Sequence, residues 1–172
     1  MHSAHVLLLA LLSLPVMAAD GIAERRLGMS YFEGDGVKQD VRKAVQHLAR
    51  AVELGDAESA IRLGKMYEFG MSVAADETQA ALWYMRGAEL GSAEAQFEAS
   101  VMLYKGRGVA RDPVEAVKWW TLAARDPRRA QIIRASVESA EAKLTPDEIS
   151  RGKALAQAWL SRRTPSKART GS

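Results

Sequence analysis

A register of 36 residues constrains this chain more than any other property. Gly21–Asp56, Ala57–Ser92 and Ala93–Arg128 are each 36 residues long and lie over one another without a gap. Gly34, Gly70 and Gly106 share a column, as do Asp40, Asp76 and Asp112, and Ala44, Ala80 and Ala116. Val37, Val73 and Val109 also align, and His47 stands where Trp83 and Trp119 stand. Self-similarity with a period of about 20–50 residues marks a solenoid, in which each unit buries its apolar face only against its neighbours.

The columns specify two helices per unit. Ala23, Leu27 and Tyr31 recur four apart, which places them on one helical face. Gly34, Gly70 and Gly106 suit the left-handed residue that ends a helix. Gly36 and Gly108 permit a second positive φ or a close backbone approach. Ser72 replaces that glycine in the middle unit, so a displaced or looser loop is expected there. Asp40, Asp76 and Asp112 are placed to N-cap the second helix, each contributing about 1 kcal/mol. Gln79 and Glu115 lie three residues after Asp76 and Asp112 and would complete capping boxes. Pro113 sits at a first helical position, where its missing N–H does no harm.

Ala44, Ala80 and Ala116 mark a helix crossing that a larger side chain would overpack. Trp83 and Trp119 are expected as core anchors of the second helices. Trp120 points about 100° away from its neighbour, so it is expected half exposed, at a repeat seam or in a partner site. The segment GRGVARD from Gly106 to Asp112 reads as a helix-turn-helix joint. A phosphate-binding loop would require a preceding strand and a Lys-Ser/Thr at the helix start.

The remainder is not a fourth unit. Pro127 to Lys143 reads as one helix, Thr145-Pro146-Asp147-Glu148 as a stop and a capped restart, and a last helix runs to about Leu160. Residues 129–161 are therefore expected to cap the solenoid. The fold class is all-α: a right-handed α/α superhelix of three helix-turn-helix repeats with a C-terminal capping hairpin.

The chain start suggests export. Val6 to Leu14 is an apolar run too short for a bilayer, Pro15 breaks it, and Val16-Met17-Ala18 offers a cleavage site. Residues 1–19 are expected to be a cleaved signal peptide, with the solenoid over 20–161 in the periplasm or outside the cell. The chain has no cysteine, which excludes disulfides and lipid attachment through a lipobox. Net charge is +3, with nine basic and four acidic residues from Arg129 onward. Residues 162–172 are expected as a disordered basic tail capable of weak contact with an anionic membrane surface. No aromatic-basic platform for nucleic acid is present.

These columns resemble the Sel-one-like repeat, a relative of the tetratricopeptide repeat. Ala23 to Ala44 reads AERRLGMSYFEGDGVKQDVRKA, Leu63 opens LGKMY, and Gly106 opens GRGVARDPVEAVKWWTLAA. The resemblance covers Gly21 to Arg128 and implies a bacterial protein-binding scaffold of the exported type, with partners read by the concave face. Arg26, Arg62, Met66, Phe69, Glu98, Met102, Lys105 and Trp120 are the expected partner-binding residues. Arg and aromatic residues favour binding hot spots, and Met adapts to varied partners.

No catalytic residue is expected. His47 is the only histidine after the leader and reads as a satisfied, half-buried side chain. Glu24 and Glu58 read as charge compensation at helix N-termini. No metal cluster or cofactor site stands out. The expected function is a monomeric, non-catalytic adaptor or regulator with a protein or peptide partner. A periplasmic immunity protein that covers a delivered toxin is the alternative, and a cell-envelope enzyme a weaker third.

Overall fold

A computed structural model of the chain describes residues 19–163. The expected leader falls largely on 1–18 and most of the expected tail on 164–172, outside the described residues. Every regular element described is a helix. These are α1 (19–33), α2 (Val41–Glu53), α3 (Ala57–Phe69), α4 (Glu77–Glu89), α5 (Ala93–Lys105), α6 (Pro113–Ala123), α7 (Ala130–Glu141) and α8 (Pro146–Arg163). The pairs α1–α2, α3–α4 and α5–α6 are the three repeats, and each second helix packs on the first helix of the next repeat. The architecture is a helical solenoid.

The aspartate column sets the start of each second helix. Asp40 accepts from the Lys43 N–H, Asp76 from Thr78 and Gln79, and Asp112 from Glu115. The expected reciprocal half of the capping box is replaced. The N–H groups of Asp40, Asp76 and Asp112 donate instead to the carbonyls of Tyr31, Tyr67 and Leu103, at 2.9 Å each. That bond recurs with the 36-residue register and ties each second helix to the last turn of its own first helix. Among the described residues a complete capping box forms only at Thr145, whose N–H reaches Glu148 Oε2 at 2.8 Å while Glu148 N–H reaches Thr145 Oγ1 at 3.2 Å.

The joint keeps one shape in all three repeats. Gly36 and Gly108 have φ of 69° and 66°, and Ser72 adopts 63°. The middle loop is therefore not displaced; the serine accepts a left-handed conformation that normally costs a non-glycine residue about 1–2 kcal/mol.

The column buried in all three repeats lies next to that of the expected tryptophans. Leu48, Tyr84 and Trp120 are equivalent positions and are 0%, 1% and 3% exposed. Leu48 and Tyr84 fit against Gly28 and Gly64 of the facing first helix. A Cβ at Gly64 would lie 2.5 Å from the Tyr84 ring, and one at Gly28 2.9 Å from Leu48 Cγ. Trp120 is thus core rather than half exposed, tilted against Tyr104 at 5.2 Å between centroids. In the neighbouring column only Trp119 is fully buried; His47 and Trp83 are half-buried. Trp119 is covered because α8 lies on it, with Trp159 edge-on at 6.0 Å.

The cap is chiefly α8. It runs along α6 in the same direction, with Gly152 against Val114 and Val117 and Trp159 against Trp119, while α7 packs on α6 far less. Trp159 Nε1 donates to Glu89 at 3.0 Å, and Arg163 donates to the Glu89 carbonyl at 2.6 Å while stacking on the Trp159 ring. Arg162 and Arg163, expected in a disordered tail, therefore belong to the last turn of α8. Arg163 fastens the cap to the C-terminal end of α4, whose free carbonyls attract a cation. No described helix is long and apolar enough to cross a membrane.

Candidate functional site

The first helices α1, α3 and α5 form one layer of the solenoid, and its two seams differ in chemistry. The difference originates in one column of the joint: Asp35, Met71 and Arg107. The backbone there hardly changes between repeats, so the side chain alone decides what each joint presents to the repeat before it.

At the second seam the joint residue closes the surface. Arg107 reaches back to Glu77 at 2.7 Å and to Glu68 at 3.2 Å. Glu68 also accepts from the Tyr84 hydroxyl at 2.8 Å. Burial, and then the Glu68 carboxylate, push the Tyr84 phenol far above its ordinary range, so it remains a donor. Lys65 donates to Glu94 at 2.7 Å across the same seam, and Arg129 pairs with the other Glu94 oxygen. Burial would raise the Glu94 pKa, but the two cations outweigh it and hold the carboxyl below its usual value. Glu98 lacks such a partner: burial first, then Glu68 and Glu94, raise its pKa.

At the first seam the joint residue leaves the surface open. Met71 carries no charge to bridge the repeats and lines a hollow of about 100 Å³ with Met29 and Phe32 of α1 and Arg62, Lys65 and Met66 of α3. Met71 is 44% exposed, and Phe69, two residues before it, is 67% exposed. Exposed phenylalanine beside polarizable Met and aromatic walls is the composition of a binding surface. Arg62 Nη2 pairs with Glu58 at 3.1 Å, yet its Nε is buried without an acceptor. A polar handle thus sits at the edge of an apolar floor.

The expected partner-binding residues divide accordingly. Arg26, Phe69 and Lys105 are exposed, and Arg62 and Glu98 are half-buried. Met66 and Met102 are 4% and 2% exposed. Both are buried at the seams, and Met66 reaches the surface only as a wall of the first-seam hollow. Trp120 is buried rather than half exposed, and it meets the surface only in the wall of a separate hollow between α5, α6 and α7. The sequence reading missed Met71 and Arg107, although their column could be found by asking which position of the invariant joint varies in charge.

His47 Nδ1 lies 2.7 Å from Glu24 Oε2 and its ring stacks on Tyr31 at 5.4 Å. Glu24 also faces Arg50 at 3.3 Å, so it is a pairing group between α1 and α2 rather than dipole compensation alone. Among the described residues no group of three or more His, Cys, Asp or Glu could hold a metal ion.

The Sel1 repeat profile matches residues 21–56, 57–92 and 93–127, the same register that the aligned columns define. Similar solved structures include a Sel1 repeat protein from Oxalobacter formigenes, 33% identical, with 73% of this chain and 98% of that one covered and a TM-score of 0.58. Another is c5321 of uropathogenic Escherichia coli, described as a protective antigen displaying an SLR fold. It is 29% identical with a TM-score of 0.66, covering 89% of this chain but 35% of c5321. Helicobacter pylori cysteine-rich protein B shares the fold at 24% identity, with 70% and 94% covered and a TM-score of 0.51. No curated protein matches the chain significantly. Sel1 repeat proteins are protein-interaction scaffolds, and by three matched repeats spanning most of its length this chain belongs to the Sel1 repeat family.

Proposed function

We propose that the chain is a non-catalytic adaptor or regulator of the bacterial periplasm that holds a protein partner at the first seam of the α1–α3–α5 layer. The observation that carries this reading is the exposure of Phe69 and Met71 beside the Met29–Phe32–Met66 hollow. An apolar side chain of the partner enters the hollow, and Phe69 lies over it. Arg62 Nε donates to a partner acceptor, and the exposed Arg26 offers a further cation on the helix that carries Met29 and Phe32. Hot spots of this kind combine an aromatic anchor with an arginine and exclude water around them.

The test is site-specific photo-crosslinking in the native host, with benzoylphenylalanine introduced at position 69. A discrete adduct is expected from the periplasmic fraction, and Met71→Asp in the same protein should abolish it. Adducts that survive Met71→Asp, or none at all at position 69, would refute the site. Recovery of the protein only from the cytoplasm after fractionation would refute the compartment. If the captured partner is a toxin, the adaptor role gives way to immunity at the same surface.

A further inference from the structure

A second hollow lies where the third repeat meets the cap, and it is built differently from the first. Its volume is about 310 Å³, and Phe97, Val101 and Tyr104 of α5, Trp120 of α6 and Ala140 of α7 line it. Two cations share its lining: Lys105 at the end of α5 and Lys143 after the end of α7. Both are exposed, and no carboxylate pairs with either among the described residues. Trp120 is 3% exposed, and its indole Nε1 is buried without an acceptor. A buried donor left unpaired is uncommon in folded proteins and calls for an explanation.

We propose that this hollow captures the C-terminal residue of a partner polypeptide when that residue is apolar. The side chain packs on Phe97, Val101 and Tyr104, the terminal carboxylate lies between Lys105 and Lys143, and the Trp120 indole supplies a donor from the apolar side. Among unmodified residues, a fully apolar side chain and an anion meet in one residue only at a chain terminus, and that is the pairing the lining complements. The volume is at the low end of ligand pockets, about 300–1,000 Å³, which fits a single residue rather than a helix. Carboxylate capture by converging donors is a recurring peptide-recognition mode. The site shares no lining residue with the first seam, so it stands or falls independently of the proposed adaptor surface.

Fluorescence anisotropy on the full chain tests the proposal, using labelled Gly-Ser-Gly-Ser-Phe with a free carboxylate. Saturable binding is expected. The amidated peptide and a free-acid version ending in Ser should each bind at least about tenfold more weakly, the loss expected when one strong contact group is removed. Lys105→Glu with Lys143→Glu should weaken binding at least about tenfold, and Trp120→Phe severalfold, with unchanged far-ultraviolet dichroism. Phe69→Ser should have no effect. The proposal is overturned if the free acid shows no saturable binding, if the amide binds as tightly, or if the double lysine variant is unaltered. It is equally overturned if an amidated peptide with an internal Asp beside Phe matches the free acid.

Discussion

One column of the joint supports a sharp energetic prediction, because the same glycine meets two different surroundings. Gly36 and Gly108 are equivalent, with φ of 69° and 66°. A Cβ on Gly36 would meet nothing within 4 Å, whereas a Cβ on Gly108 would lie 1.9 Å from the Glu77 carbonyl oxygen and 2.7 Å from the Thr78 nitrogen. Gly36→Ala therefore incurs only the left-handed penalty of about 1–2 kcal/mol, offset by about 0.4–1 kcal/mol from a stiffer unfolded chain. The net loss should be about 1 kcal/mol or less. Gly108→Ala adds a clash with backbone in the first turn of α4, which Asp76 fixes by capping. Overpacking of that kind costs about 1–3 kcal/mol, for a net total of about 1–4 kcal/mol after the same unfolded-state offset. For a chain of this size that corresponds to a fall in Tm of roughly 2–16 °C. Urea titration followed by dichroism at the helical band measures both variants. Equal losses for the two would show that repeat contact at Gly108 is not what the structure indicates. Ser72→Gly completes the series: relief of the left-handed serine and added unfolded-state entropy nearly cancel, so its change should lie within about 1 kcal/mol of zero.

The cap and the second seam yield further expectations. Gly152→Ala places a Cβ 2.5 Å from Val117 Cβ and should destabilise by about 1–3 kcal/mol, with the tryptophan emission shifted red as α8 leaves Trp119. Trp159→Ala should cost about 3–5 kcal/mol, and native-state hydrogen exchange should show α8 opening first; uniform acceleration along the chain would count against α8 as a separate cap. Glu98 has a folded pKa above its unfolded value, so its contribution to stability is greatest at low pH and is lost as pH rises from about 4.5 through the raised folded value. Glu98→Gln should therefore melt higher than wild type at pH 7, with the advantage disappearing by pH 4; an advantage independent of pH would contradict the burial and the Glu68 and Glu94 repulsion.

Much of the fold was legible because its signals are local. A glycine at positive φ, an aspartate before a helix and a complete Thr145–Glu148 box each declare themselves within four residues. Burial was less legible, because alignment says which residues are equivalent and not which of two adjacent columns points inward. Trp119 is core as expected, but Trp83 is half-buried, and it is the adjacent column of Leu48, Tyr84 and Trp120 that is buried in every repeat. The deciding feature was across the hairpin: helical Gly28 and Gly64 leave space that Leu48 and Tyr84 fill. A glycine inside a helix costs about 1 kcal/mol relative to alanine, so its recurrence opposite a bulky column is a signal that the amino-acid sequence itself carries. Met66 and Met102 were unreadable for a different reason. Met66 clusters with Leu48 and Val52 of the preceding repeat, and packing between repeats is something no pattern inside one unit can reveal.

The candidate site follows from where the repeat symmetry is kept and where it is broken. The joint backbone is held by a left-handed residue, by the Asp N–H bond to the preceding helix and by the cap that follows, so its path tolerates almost any side chain at the position between the two left-handed residues. That position is filled by Asp35, Met71 and Arg107 in turn. Only the last bridges Glu68 and Glu77, so at the second seam alone, among the described residues, the joint itself closes the surface by charge. If the same bridging were possible at the first seam, Phe69 and Met71 would lie beneath an ion pair instead of in solvent. Met71→Arg is the direct probe of that reasoning: because the facing α1 and α2 residues differ from Glu68 and Glu77, the new guanidinium should block crosslinking at position 69 without raising stability by more than about 1 kcal/mol.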